Sequence, residues 1–311
     1  MTENTRNTKQ VLSMTGFALL AWLLTSTLVR LLSNHLNIPA IDNPWLFLLI
    51  HHIPNYVFGL SAFLIVLRFI PEAKDVRPKD DIKLSQILVI FLAAAGLGII
   101  INSAVMDRLL YLLSLLYPFS IANTTSNFNL TGISGAFAGL VLGAGVAGFG
   151  EEFIFRKLLY KKMAGSPDIL FILVSGISFG IMHTFFTQGI GHIFLGMAFA
   201  YIYVRTKSYL LVAILHLIFD AILFFVVPLL KEVINEAVGN IVQFLFIVLC
   251  VLSTLFVIFW YRKKIDWNIL PATEAGWEFA AGKLPLKAII SSPGMAIYIA
   301  SCLGMMIYHL F

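Results

Sequence analysis

The chain is short of charge. Only 12% of its 311 residues are Asp, Glu, Lys or Arg, against about 25% in an average soluble domain. A chain so poor in charge cannot cover a water-soluble globule with polar surface. Cysteine is nearly absent: the two present, Cys250 and Cys302, both lie inside apolar runs, which excludes a disulfide framework or a cysteine metal cluster. There is no H-E-x-x-H run, the signature of a zinc-dependent protease helix, no convincing internal repeat, and no low-complexity tract. The first apolar run is too long for a secretory signal core and has no A-x-A-like cleavage site, so it reads as a retained helix.

What is present is apolar. Hydrophobic residues make up 59% of the sequence and the mean hydropathy is +0.92. Because a helix needs about 20 apolar residues to cross the hydrocarbon of a bilayer, the expected spans are 11–33, 45–70, 84–106, 133–156, 167–187, 190–205, 209–229, 240–261 and 291–311. The fold class is therefore all-α: a polytopic transmembrane bundle of about eight core helices plus one peripheral helix, in a single integral membrane domain covering 1–311.

Lys and Arg fall in clusters between these runs, at Arg6 and Lys9, Lys74 to Lys83, Arg156 to Lys162, Arg205 and Lys207, and Arg262 to Lys264. The stretches 34–44, 109–132 and 186–192 carry none. The alternation implies a cytoplasmic N-terminus, and it attributes the net charge of +5 to the membrane, not to nucleic acid. Residues 107–132 read as an outer loop and 262–290 as an interfacial segment. Two small-xxx-small pairs, Gly139/Gly143 and Gly176/Gly180, read as sites of close helix packing.

Ionisable residues inside apolar spans cost about 2.5–3.5 kcal/mol each on insertion scales and usually serve a partner or a cavity. In EEFIFR, Glu152 and Arg156 stand four apart with the acid first, the favourable order for a helical ion pair. Glu151 has no such partner, and a poorly solvated carboxylate makes a usable general base. The competing reading makes both glutamates charges at a helix end. Phe179 and His183 stand four apart in FGIMH, and His216 and Asp220 in HLIFD. Singly, each of these is more simply a structural polar group, or in the last case half of a metal site. His51 and His52 read as interfacial, His192 as a loop residue, and His309 as remote from the motifs.

Together the three motifs, in this order, resemble those of the CAAX protease and bacteriocin-processing enzymes, the family that includes the Ras-converting CAAX prenyl endopeptidase. The resemblance covers residues 133–222, the motif-bearing core. It implies a helical intramembrane endopeptidase of a prokaryotic cell membrane. Its substrate would be a membrane-associated peptide or lipidated protein tail, and it would need neither cofactor nor catalytic metal. By position, Glu151 would be the general base and His183 would orient the water. His216 and Asp220 would stabilise the oxyanion, with Glu152, Arg156 and Phe179 in support. The family's last motif commonly ends in Asn. Asp220 would either stay neutral and donate, or only orient His216. The alternatives left by the sequence are a metal-dependent hydrolase using His183, His216 and a carboxylate, and a membrane immunity protein, scaffold or transporter without peptidase turnover. One geometric requirement follows. At about 1.5 Å per residue, His183 comes out deeper than Glu151 and His216, so the fifth helix must be tilted or displaced for the three to meet.

Overall fold

The structure, a computed structural model, describes residues 8–310 except 37, 39, 41, 74, 76, 78, 117–131, 165 and 266–284. The described residues form helices α1 (Thr8–Asn34), α2 (Pro44–Leu67), α3 (Leu84–Leu115), α4 (Gly132–Met163), α5 (Asp168–Ile181), α6 (Phe186–Thr206), α7 (Tyr209–Ala221), α8 (Val227–Val233), α9 (Glu236–Tyr261), α10 (Pro285–Ser291) and α11 (Pro293–Tyr308). No strand occurs among them. Each of the nine expected spans overlaps a helix, 209–229 running across α7, a π-helical turn and the start of α8, and the chain is an all-α membrane helix bundle. Its outer face is apolar: Leu24, Leu28, Phe244, Leu249 and Phe259 are among the exposed side chains, as lipid contact requires.

Length separates the helices into two kinds. By length and composition, five (α1, α2, α3, α4 and α9) are long and apolar enough to cross a membrane, or six if α10 and α11 count as one span bent by 83°. The helix α5 has 14 residues, about 21 Å, short of the ~30 Å hydrocarbon thickness. Almost all of it is buried, with α6 packed along it. His183, just past the last residue of α5, lines the same cavity as Glu151 and His216.

The ends of these elements follow from local chemistry. Asn43 caps α2 by accepting from the Leu46 N–H at 3.0 Å, with Pro44 at the first helical position, where a missing N–H costs nothing. The turn from α6 to α7 takes only Lys207 and Ser208. Lys207 adopts the left-handed conformation (φ 51°), and Ser208 caps α7 by accepting from Leu211 N–H at 3.2 Å. A left-handed lysine is unfavourable, and its ammonium is held by Asp75 at 2.9 Å and by the Tyr160 hydroxyl. Nearby, the segment before α3 is tied to helix ends by Arg77 with Asp80 (2.9 Å) and Asp168, and by Arg205 with Asp80.

Several sequence expectations are corrected. Asp107 and Arg108 do not open a loop; α3 runs on through them to Leu115, and 117–131 lie outside the described residues. The expected loop 186–192 is the first two turns of α6. Its glycines misled because they mark close packing. A methyl at Gly189 would sit 3.1 Å from the Gly180 carbonyl oxygen, and one at Gly191 2.7 Å from Asn102 Nδ2. The pair Gly176/Gly180 does pack tightly against α6, but a methyl on Gly143 would meet nothing within 4 Å, because Gly139 and Gly143 face a cavity. Of the expected interfacial segment 262–290, residues 266–284 lie outside the described set.

Candidate active site

A cavity of about 1040 Å³ opens within the bundle. Wider π-helical turns interrupt α3 at Asn102–Met106 and α4 at Gly139–Gly145 and Phe153–Leu158, and follow α7 at Ile222–Val226. Each contributes residues to the cavity wall: Asn102, Gly139 and Gly143, Phe155, and Leu223. Such irregular turns recur at functional sites because they re-aim side chains.

Glu151, His183, His216 and Asp220 all line this cavity. They come from α4, the turn after α5, and α7. Glu151 Oε1 accepts a hydrogen bond of 2.9 Å from the Tyr56 hydroxyl of α2. His183 Nδ1 lies 3.0 Å from the Phe179 carbonyl oxygen. Since a carbonyl only accepts, Nδ1 carries the proton and Nε2 is left as an acceptor. The turn holding His183 includes Thr184, a buried β-branched residue at φ 58°, a strained conformation that persists only where the surroundings enforce it. His309 of α11 supplies part of that enforcement. Its Nδ1 donates to the Thr184 carbonyl at 2.8 Å, and its ring stacks on Phe185 at 4.4 Å.

Behind the wall the charges close on one another. Arg156 and Glu152 are both wholly buried, with Arg156 Nε 3.0 Å from Glu152 Oε2. The other Glu152 oxygen lies 2.9 Å from His216 Nδ1, and His216 Nε2 is 3.3 Å from Asp220 Oδ2. The guanidinium also donates to the Gly196 carbonyl at 2.9 Å and sits 4.6 Å from the centre of the Phe179 ring, a cation–π contact in a desolvated place. Glycine permits this assembly, since a methyl at Gly148 would sit 3.1 Å from the Leu217 nitrogen, holding α4 off α7.

The sequence-based expectations thus meet in one place, with additions. Glu152 reaches past Arg156 to orient His216, and Asp220 flanks the same imidazole from its other nitrogen. The sequence reads His192 as a loop residue. It stands on α6, lines the cavity, and lies ring to ring with His183 at 4.3 Å, its Nδ1 donating to Gln188 O at 2.6 Å. His51 and His52, read as interfacial, also line the cavity. Tyr56 was missed altogether; nothing in the spacing of one chain segment reports a bond to a residue 95 positions away. Among the described residues no group of three or more His, Cys, Asp or Glu is arranged to hold a metal ion.

Fold and site define the class: an integral membrane helix bundle enclosing a cavity whose lining includes carboxylate and imidazole side chains. Residues 133–222 match the family described as Rce1-like, type II CAAX prenyl endopeptidase Rce1-like. These are the residues that carry the resemblance to CAAX protease and bacteriocin-processing enzymes, and that likeness stands. The chain is also similar to the "Putative membrane peptidase YdiL" of Bacillus subtilis (strain 168), 27% identical over 186 residues, 58% of this chain and 72% of the relative. No solved structure matches the chain. At the level of the family, the similarity is to membrane proteases.

Proposed function

We propose that this chain is a glutamate-dependent intramembrane endopeptidase that hydrolyses a membrane-associated peptide or lipidated protein tail. The whole chain is one integral membrane domain and 133–222 its catalytic core. In this reading it works in a prokaryotic cell membrane with its N-terminus in the cytoplasm. The supporting observation is that Glu151, His183, His216 and Asp220, from three separate elements, line one cavity.

Glu151 takes a proton from water, whose oxygen attacks the scissile carbonyl. His183 accepts a hydrogen bond from that water through Nε2 and fixes its approach. His216, doubly protonated between the Glu152 carboxylate at Nδ1 and Asp220 at Nε2, donates from Nε2 to the developing oxyanion. Its distance of 3.3 Å from Asp220 is at the long end for a hydrogen bond, so the donor can be redirected. Asp220 serves to orient the ring. As the carbonyl reforms, the C–N bond breaks and the proton on Glu151 passes to the leaving amine.

The test compares membrane peptidomes of cells expressing the wild-type chain, Glu151→Gln or His183→Ala at equal levels. Cleavage products present only with wild type are expected, insensitive to chelators. Three indistinguishable peptidomes would overturn the reading.

A further inference from the structure

We propose that Tyr56 is a positioning residue for the general base. The assignment rests on the reading of Glu151 given above, and it brings into the site a helix that lies outside the family-matched segment. Two independent observations carry it. The hydroxyl of Tyr56 donates to Glu151 Oε1 at 2.9 Å, the hydrogen bond made by that carboxylate among the described residues. Separately, the Tyr56 ring occupies the place where a side chain at position 150 would be. A methyl on Gly150 would lie 2.8 Å from Tyr56 Cε1 and 2.9 Å from Cδ1. The glycine just before the base is therefore the gap through which the ring reaches α4.

The ring also makes a tilted contact with the buried Trp22 of α1, centroids 6.5 Å apart. The ring thus lies between Trp22 of α1 and Gly150 of α4, with its hydroxyl on Glu151. A glutamate has several rotamers of similar energy, and a base that wanders among them meets water in the right geometry only part of the time. A hydrogen bond to one carboxylate oxygen selects a rotamer and leaves the second oxygen for the water. Tyr56 touches neither water nor substrate in this scheme. It acts through Glu151.

The experiment uses the purified full chain, wild type and Glu151→Gln, in phospholipid vesicles with a peptide that is cut in cells expressing the wild-type chain. Tyr56→Phe keeps the ring and removes the donor; kcat is expected to fall about tenfold with KM within about twofold, since the interaction is lost from the chemical step alone. Gly150→Ala, which keeps the hydroxyl but displaces the ring, is expected to give a similar kcat loss. The two combined should lose no more than the larger single effect. Thermal unfolding in detergent checks that folding is intact. If Tyr56→Phe itself unfolds early, Gly150→Ala decides. A wild-type kcat in the deciding variant, or a loss carried by KM, overturns the assignment while the peptidase reading stands. A fully active Glu151→Gln overturns the reading itself, and the assignment with it.

Discussion

Glu151 and Glu152 are consecutive, yet they belong to two regions with opposite character. Around Glu152 the charges are paired: Arg156 beside one oxygen, His216 beside the other, Asp220 beyond, and an aromatic ring over the guanidinium. Around Glu151 the groups are held from one side only. The carboxylate has its tyrosine, His183 and His192 each have one nitrogen on a helix carbonyl, and the remaining valences meet a cavity. A closed network resists change and stabilises; an open one binds and reacts. Two carboxylates that cost about the same to bury therefore have different uses.

The largest effect expected is on the open side. In our reading Glu151→Gln removes a general base, worth about 10²–10⁴-fold in rate, with no change in the unfolding temperature; parallel loss of both would erase the distinction between the regions. Next is the closed side. Arg156→Met strands a buried carboxylate and should cost about 3–5 kcal/mol of stability, read as a lower midpoint in detergent unfolding. A variant as stable as wild type would mean that His216 alone satisfies Glu152. A smaller contrast tests packing against cavity. Gly180→Ala, where a methyl would lie 2.6 Å from the Gly189 oxygen, should cost about 1–3 kcal/mol. Gly143→Ala, which meets nothing within 4 Å, should stay within about 0.5 kcal/mol. Smallest is Asp220→Asn. If Asp220 only orients His216, an amide oxygen can still accept from Nε2, and initial rates should change by only about threefold, under 1 kcal/mol.

Much of this was legible in the sequence, for specific reasons. The long helices could be read because each announces itself by an apolar run of sufficient length, and Glu152–Arg156 because an ion pair four residues apart is a property of one helix. The two halves of the His216 environment divide on the same line: Asp220 is four residues away and visible, Glu152 is 64 away and not. His192 was lost because Gly189 and Gly191 signal a loop as readily as a close approach. Tyr56 and His309 were lost because α2 and α11 carry no motif; their importance arises only from where the bundle puts them.

The π-helical turn at Gly139–Gly145 has a consequence for how the site is aimed. It holds more residues per turn than the α-helix on either side of it, so it acts as an angular offset inserted into α4. Successive α-helical residues are set about 100° apart. Deleting one residue there, such as the loosely packed Gly143, would remove the wide turn and leave the heading beyond it nearly unchanged. Winding the same residues as regular α-helix would instead turn everything beyond it by about that angle. Glu151 would leave the heading of the cavity and Glu152 would lose that of His216, with no functional side chain altered. The division of labour between the two glutamates is thus a matter of phase, set half a dozen residues upstream in a stretch that carries no chemistry of its own.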